Sequence, residues 1–339
     1  MSWFIRPARA DDLDAVLSLA EQTGGGFTNL PPNRESLAKR IAWSTESFAR
    51  EGNLPDNELY LLLMEEAGTG RIGGSAMIFS RLGVEWPFYS YKMSTSNQTS
   101  RELGRNITMD VLYLVNDFNG AAEVGGLFLL PDLRTGGLGR LLARSRYLFM
   151  ARHRERFPAR VIAELRGWLD DDGGSPFWDG LGRAFFEMPF QEADRFNAVH
   201  GNQFIADLMP THPIYTALLP QGARDVIGKP HDSGIPAMRM LEKEGFEFDG
   251  YIDIFDGGPT MAAHVDHVRT IDDARVLPVA DLSMRPGEAR SSLLAKGRLQ
   301  GFRAWQSDAA VIGGGLSLTA DEATLHDIKV GDTLSHVAA

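Results

Sequence analysis

Two kinds of hydrophobic pattern alternate in the N-terminal part of the chain, and together they predict strands and helices. The stretch WFIRPA reads as a short strand ending at Pro7, and DDLDAVLSLA then repeats its apolar residues at helical spacing. Asp11 or Asp12 can cap this helix. A second helix is predicted over residues 35–48, and ELYLLLMEE and RIGGSAMIFS, separated by AGTG, predict a hairpin. Residues 82–120 are irregular, with a short strand at DVLYLV.

A strand, a glycine turn and a helix follow in the middle of the chain. AAEVGGLFLL is strand-like and stops at Pro131, and RTGGLGR then precedes an apolar helix that runs to about Phe157. ARVIAELRG is a further buried strand. Because glycine costs helix stability, three glycines at the start of a helix require a reason.

One pattern occurs twice in the second half of the chain. SPFWDGLGRAFFEMPF (175–190) and PAMRMLEKEGFEFDGYIDIF (236–255) each predict a short helix, a glycine and an aromatic strand. Gly182 and Gly245 suit the left-handed position that ends a helix. We therefore predict an internal duplication, with a boundary between residues 1–190 and residues 191–339. The last stretch, 268–339, contains strand-like pieces such as RVLPVA and AAVIGG.

Composition narrows the classes of partner. The chain has 339 residues, a formal net charge of −11 and no cysteine. The acidic balance argues against nucleic acid or an anionic membrane as the main partner. The absence of cysteine excludes disulfides, thiolate metal sites and a cysteine nucleophile, and it fits a reducing cytoplasm. With no apolar run of membrane-spanning length and no signal-type N-terminus, we expect a cytoplasmic protein.

The glycine turn has the chemistry of a phosphate site. The first amides of a helix lack intrahelical partners and carry partial positive charge, and glycine at 136, 137 and 139 lets an anion approach them. Three arginines can add charge: Arg134, Arg140 and Arg144. The turn lacks the Lys-Ser/Thr of a Walker loop and the G-x-G-x-x-G of a Rossmann turn. The alternative is a tight structural turn with no ligand.

These residues resemble the GNAT N-acyltransferase superfamily. Arg134-Thr-Gly-Gly137-Leu-Gly139 matches its R/Q-x-x-G-x-G/A turn, which cradles the pyrophosphate of coenzyme A, and IRPARADDLDAVLSLA is similar to its first strand and helix. The two helix–glycine–strand units are similar to a late element of that fold. The resemblance implies an α/β protein of two NAT-like halves, with mixed sheets flanked by helices and one acyl-CoA site in the first half.

A closer resemblance covers most of the chain. TGGGFTNLP, GGLFLLPDLR, RSRYLFMA, AELRG, SPFWDGLGRAFFEM, FIADLMPTHPIYTALLP, DVIGKPH and LEKEGF…YIDIFDGGPT occur in the order typical of the arginine N-succinyltransferase family. That family transfers succinyl from succinyl-CoA to the α-amino group of L-arginine in arginine catabolism. The resemblance implies Leu127 as a coenzyme-binding residue and His231 as the proton donor. Lys229 and Pro230 precede the histidine, and nothing is carried over for the tail beyond about residue 270.

Chemistry alone leaves other positions open. His231 lies in a GKPHDSG loop, where an exposed histidine without a role is the alternative. His264 and His267 could ligate a metal on a helix, but no third ligand is evident, so we predict surface positions and no metal. A substrate guanidinium requires a carboxylate, and four unranked candidates are Glu123, Glu164, Asp253 and Asp256. Arg166 and Lys229 are candidates for the succinyl carboxylate.

The sequence therefore predicts direct succinyl transfer, without an acyl-enzyme and without a permanent cofactor. The expected ligands are succinyl-CoA and L-arginine, and the resemblance implies a homo-oligomer or a pairing with a paralogous subunit. Three alternatives stay open: another CoA thioester, another basic amino acid such as ornithine, and a non-catalytic CoA-binding partner subunit.

Overall fold

The computed structural model describes residues 2–23, 29–200, 203–284 and 289–339. Within these ranges the strands are β1 (Trp3–Pro7), β2 (Leu59–Glu66), β3 (Ile72–Phe79), β4 (Ser90–Ser100), β5 (Arg105–Val115), β6 (Ala122–Leu129), β7 (Arg160–Glu164), β8 (Ile214–Tyr215), β9 (Glu247–Ile252), β10 (Pro259–His264), β11 (Arg275–Asp281), β12 (Arg290–Lys296), β13 (Arg303–Ile312), β14 (Gly315–Ser317) and β15 (Thr333–Ala338). The helices are α1 (Leu13–Glu21), α2 (Arg34–Ala49), α3 (Leu138–Arg152), α4 (Pro176–Gly180), α5 (Arg183–Phe186), α6 (Phe190–His200), α7 (Gln203–Leu208), α8 (Gln221–Val226), α9 (Ile235–Glu244), α10 (Arg269–Asp273) and α11 (Ala320–His326). Within the described ranges, no helix is long and apolar enough to cross a bilayer.

The strands form one continuous hydrogen-bonded sheet. Its order is β12-β15-β11-β14-β13-β1-β2-β3-β6-β7-β10-β9-β4-β5-β8. Most neighbouring strands are antiparallel, whereas β6 and β7 are parallel. At the other end β12 also pairs with β13, so the five C-terminal strands close into a ring. The predicted mixed α/β class is confirmed.

Helices cover both faces of the central strands. On one face α3 packs on an apolar cluster that includes Ile5, Tyr60 and Leu142. On the opposite face α1 and α2 pack through residues such as Val16 and Leu37. The chain between β6 and β7 therefore crosses one face of the sheet only, as a parallel pair requires.

Local predictions for the first half are mostly confirmed. The strand, the two helices and the hairpin lie where the pattern placed them. Asp12 lies at the cap position of α1, but its carboxylate accepts hydrogen bonds from the Arg6 guanidinium at 2.7 and 2.8 Å. The interpretation of 82–120 as irregular is wrong, because β4 and β5 pair along their whole length as a long hairpin. Because these strands contain many Ser, Thr and Asn residues, the hydrophobicity of the sequence does not reveal their strand pattern.

The predicted helix–glycine–strand unit is present at 236–255, and its prediction at 175–190 is wrong, so the two segments do not form a repeat of that unit. Gly245 ends α9 with φ of 94° and β9 follows, as predicted. Gly182 has φ of −61° and lies between α4 and α5, with no strand after it. A Cβ atom there would lie 2.4 Å from the Trp178 ring, so close packing, and not a left-handed turn, requires this glycine.

The sheet runs across the predicted boundary at residue 190. Strand β10 is hydrogen-bonded to β7, and β9 to β4. The division into residues 1–190 and 191–339 remains a prediction about the chain's two halves. Of the block TGGGFTNLP, residues 24–28 lie outside the described residues.

A buried ion pair joins the segment after α3 to the start of β2. Arg156 is 2% exposed, and its Nη1 donates to Glu58 Oε1 at 3.1 Å and to the Tyr60 hydroxyl at 2.9 Å. Glu58 also accepts from Arg50, at the end of α2. This network therefore joins α2, β2 and the segment that leads into β7.

We expect Arg156→Ala to lower the free energy of unfolding by about 3 kcal/mol, because it leaves Glu58 buried with one cation fewer. Arg154→Ala, which removes a partly exposed pair with Asp266, is the matched control and should cost about 1 kcal/mol or less. Urea unfolding of both variants measures the difference. Equal losses would contradict an anchoring role for Arg156.

Candidate active site

A wedge opens between β6 and β7. The two strands pair at Ala122 with Val161 and at Glu123 with Ile162, and in the described part of the chain no further pair joins them. Beyond these pairs the two parallel strands diverge. The edges of both strands therefore face a gap in the sheet, and an extended ligand can add to such an edge.

A bulge in β6 directs Leu127 into this wedge. The register against β3 shifts between Ser75 and Met77, and Gly126 has φ of 56°, which favours glycine. After the bulge, the Leu130 N–H bonds to the Gly73 carbonyl of β3. Because backbone groups alternate in direction along a strand, those of Leu127 point away from β3, toward the gap.

The glycine turn leads from β6 to an uncapped helix N-terminus. Gly137 is the N-cap residue of α3 with φ of 85°, and Gly136 has φ of 64°. No side chain of the described residues caps α3, and its first turn carries no acidic residue. Around Gly136 a Cβ atom would meet nothing within 4 Å, so the amides of the turn are accessible. The predicted strand–turn–helix is confirmed, and its geometry suits an anion.

The three arginines near the turn have different surroundings. Arg134 Nε donates to the Leu129 carbonyl at 3.1 Å, which fixes the end of β6. Arg140 is exposed in the first turn of α3. Arg144 is buried and held by Glu244 at 3.2 Å and by Thr270 at 2.7 Å. The expectation that Arg144 adds charge to a phosphate site is wrong, because Glu244 already neutralises it.

His231 is attached to the other side of the wedge. Its N–H donates to the Arg166 carbonyl at 2.7 Å, just beyond β7, and Pro230 pairs with Gly167. The Leu165 N–H bonds to Pro259 on the β10 side, so the Arg166 carbonyl faces the β6 side. The loop that carries His231 therefore lies along the chain that follows β7, on the side that faces the gap.

The His231 ring is oriented by Ser233. Nδ1 lies 2.7 Å from the Ser233 hydroxyl and accepts from the Ser233 N–H at 3.2 Å. In the neutral ring this leaves the proton on Nε2, and in the cation both nitrogens carry one. Burial and the Arg166 charge lower the pKa of His231, which makes its cation a stronger acid. Nε2 can thus donate a hydrogen bond in both forms.

The four candidate carboxylates lie together at the base of the wedge. Glu123 faces the same side of the sheet as Ile162, and so does Glu164, two residues further along β7. Burial raises the pKa of Glu123 to about 7, and burial with the charges of Asp253, Glu123 and Asp256 raises the pKa of Glu164 well above its usual range. Burial and the Asp253 charge raise the pKa of Asp256 to about 8. Like charges are therefore crowded on one face.

The structure separates the roles of these carboxylates. Both Asp256 oxygens accept backbone N–H groups, from Gly167 at 2.7 Å and from Gly258 at 2.8 Å, so this residue joins the end of β7 to the β9–β10 turn. Glu123 accepts from Asn29 at 3.2 Å and lies near Arg40. A Cβ atom on Gly125 would lie 2.6 Å from the Asn29 amide, so this glycine makes room for that contact.

Sequence reasoning missed three members of this site. Asn29 precedes α2 and Arg40 lies within it, and both influence Glu123. Asp194 is on α6, and burial with the Asp253 charge raises its pKa to about 6. Nothing local in the sequence distinguishes Asp194, because only the tertiary fold brings α6 to the wedge.

Of the two candidate cations, only Arg166 lies in the site. Its guanidinium is near Asp256, Asp194 and His231, and its buried Nε has no hydrogen-bond partner among the described residues. Lys229 is exposed. His264 and His267 are exposed beside β10, as predicted, and the described residues contain no cluster of side chains that could hold a metal ion.

A sheet that splits between two parallel strands, beside a glycine turn at a helix N-terminus, offers a strand edge and helix amides to an extended anionic ligand. The chain is an acyltransferase. The family model described as arginine N-succinyltransferase beta subunit matches residues 3–270. The chain belongs to the arginine N-succinyltransferase family.

Individual relatives match along nearly their whole length. The chain is 41% identical to an arginine N-succinyltransferase of Enterobacter sp. (strain 638) over 331 residues, which cover 97% of this chain and 96% of the relative. It is 40% identical to the protein of that name in Escherichia coli (strain 55989 / EAEC), with coverage of 97% and 95%. A solved structure of arginine/ornithine succinyltransferase subunit AI from Pseudomonas aeruginosa matches with a TM-score of 0.89 and 35% identity, covering 99% of this chain and 98% of that one.

We expect Gly137→Val to weaken coenzyme A binding while the fold is retained, because a branched side chain would block the amides at the start of α3. Gly104→Val at the tip of the β4–β5 hairpin, where φ is also positive at 60°, controls for backbone strain. Calorimetric titration with CoA measures the difference. Unchanged affinity in the Gly137 variant would mean that the turn is only structural.

Proposed function

We propose that this protein transfers the succinyl group of succinyl-CoA to the α-amino group of L-arginine. The proposal rests on one arrangement above all, the open β6 edge facing His231 across the wedge, in a chain of this family. The relatives described above are named arginine N-succinyltransferase or arginine/ornithine succinyltransferase. Arginine is therefore the first acceptor to test and ornithine the second.

The first half of the site would bind the coenzyme. Backbone groups of Leu127 would pair with the pantetheine arm as an added strand does. The amides at Gly137 and Gly139 would face the pyrophosphate, and Arg134 would hold the end of β6 beside it. Succinyl-CoA acts as a co-substrate here, and the mechanism uses no permanently bound cofactor.

The second half of the site would carry the reaction. The neutral α-amino nitrogen attacks the thioester carbonyl carbon, a C–N bond forms, and the C–S bond breaks as the tetrahedral intermediate collapses. The nitrogen loses one proton and the sulfur gains one, so protons balance. His231 Nε2 is the donor that we assign to the departing sulfur, since Ser233 occupies Nδ1. The amine attacks directly, without an acyl-enzyme.

The succinyl group differs from other acyl groups by its free carboxylate. Arg166 lies beside His231 with a buried Nε that lacks a partner among the described residues. We assign it to the succinyl carboxylate, in preference to the exposed Lys229. The assembly that we propose is a homo-oligomer or a pairing with a paralogous subunit, because the Pseudomonas relative is named as a subunit.

We expect thiol release from succinyl-CoA only when arginine or a close basic analogue is present. A panel of succinyl-, acetyl- and glutaryl-CoA against arginine, ornithine and lysine measures both preferences. Turnover with a different thioester or amine would replace the proposed substrates. CoA binding without turnover on any pair would indicate a non-catalytic partner subunit.

We expect His231→Ala to lower the single-turnover rate about 10²- to 10⁴-fold, as for loss of a general acid, with little change in succinyl-CoA binding. His231→Gln keeps a hydrogen-bonding side chain but transfers no proton, so it should be almost as slow. Near-normal turnover of the Gln variant would assign His231 to substrate positioning. Full activity of the Ala variant would show that the proton comes from another group.

A further inference from the structure

Among the described residues the Glu164 side chain has no hydrogen-bond partner, and Asp253 bonds only within its own turn. Asp256 is fully occupied by backbone amides, and Glu123 is engaged by Asn29. Asp253 Oδ1 accepts from the N–H groups of Phe255 and Asp256, and its carboxyl group also contacts the side chain of Asp256. Glu164 and Asp253 are half-buried, so both line space that solvent reaches. These two side chains are therefore the ones able to receive a ligand.

Two buried hydroxyl groups lie beside Glu164 and Asp253. Thr260 lies directly opposite Glu164 in the β7–β10 pair, so both side chains are on one face. Tyr91 is opposite Ile252, so one step along the same register places Ser90 opposite Asp253. Ser90 and Thr260 are completely buried, and neither hydroxyl has a hydrogen-bond partner among the described residues. Such orphaned hydroxyls are costly unless a ligand or water satisfies them.

The carboxyl groups at the base of the wedge favour binding of a cation. The carboxyl groups that influence one another here are Glu123, Glu164, Asp194, Asp253 and Asp256, and the arginines among their neighbours are Arg40, Arg146, Arg166 and Arg195. Arg195 is exposed, and Arg146 is turned into α3, where it donates to the Ala143 carbonyl. The carboxyl groups outnumber these arginines. Burial raises the pKa values of all five carboxyl groups, and like charges add to the rise for Glu123, Glu164, Asp194 and Asp256.

A guanidinium fits this pocket better than the reacting amine does. Carboxylates beside an amine stabilise its ammonium form, which cannot attack a thioester. A guanidinium stays charged and offers five N–H donors, which match two carboxylates and two hydroxyl oxygens.

We propose that Glu164 and Asp253, together with the hydroxyls of Thr260 and Ser90, bind the guanidinium of the acceptor amino acid and select for it. The inference rests on the proposed function and names the residues that set its acceptor specificity.

The direct test compares arginine with citrulline, whose ureido group has the same shape without the charge. Glu164→Gln should lower kcat/KM for arginine about 10- to 100-fold, the loss expected for a charge-assisted hydrogen bond, and leave citrulline close to wild type. Asp253→Asn should have the same effect, because it also removes a charge. Its amide oxygen can still accept from the N–H groups of Phe255 and Asp256, so the turn is retained. Glu244→Gln, a buried carboxylate on the other face, is the control and should leave the arginine-to-citrulline ratio unchanged.

Equal losses for arginine and citrulline in the Glu164 and Asp253 variants would overturn the proposal, since these residues would then serve the shared α-amino end. An unchanged ratio would overturn it as well. Calorimetric titration of arginine into the CoA-bound protein gives a readout independent of turnover, and the affinity should fall by the same factor.

For Thr260→Val we expect opposite effects on heat stability and on arginine affinity. The free protein should become more stable to heat, because an unpartnered buried hydroxyl is replaced by a methyl group of the same size. Arginine affinity should fall at the same time. Lower stability with unchanged affinity would assign Thr260 to the core and overturn its part in the pocket.

The proposed function and the proposed guanidinium pocket can fail separately. If the wild type transfers no succinyl group to arginine, the proposed function fails, whereas calorimetry with arginine still tests the pocket. If transfer occurs and the variants keep the wild-type preference for arginine, only the pocket assignment fails.

Discussion

The short pairing of β6 with β7 is the constraint on which the site depends. Two residue pairs hold the parallel strands together before they diverge. Divergence leaves backbone groups of Leu127 without a strand partner on one side and lets the loop of His231 lie along the other. The same pairing also brings Glu123 beside β7, so the proposed coenzyme site, proton donor and acceptor pocket all lie next to one short strand pair.

Elements far apart in the chain are needed to keep this gap open. Arg134 holds the end of β6, and Asp256 holds the extension of β7 through the amides of Gly167 and Gly258. Each uses a side chain to satisfy backbone groups that a closed sheet would pair. Crowding carboxylates at the base of the wedge has an electrostatic cost, and a bound cationic ligand would lower it.

Sequence reasoning succeeded where the cause of a structure is local. The glycine turn before α3 is encoded by residues 134–139 alone, and Gly245 ends α9 because of its own φ. It failed at Gly182, where glycine is required by the Trp178 ring and not by backbone conformation. No local sequence feature distinguishes His231, and only the resemblance to the family indicated it. Glu123, Glu164 and Asp253 could be named as carboxylates but not ranked, because the pairings of β7 with β10 and of β9 with β4 join distant segments.

The position of β1 has a consequence for synthesis of the chain. This strand lies inside the sheet, with Phe4 opposite Trp305 of β13. During translation its outer edge stays unpaired until β13 leaves the ribosome, which at about 5–20 residues per second takes roughly 15 to 60 seconds. A nascent chain therefore exposes an apolar edge, the kind of surface that recruits other strands, for most of its time on the ribosome. Arg6 of this strand bonds to Asp12 just before the first helix, so this pair is local and needs no distant segment of the chain.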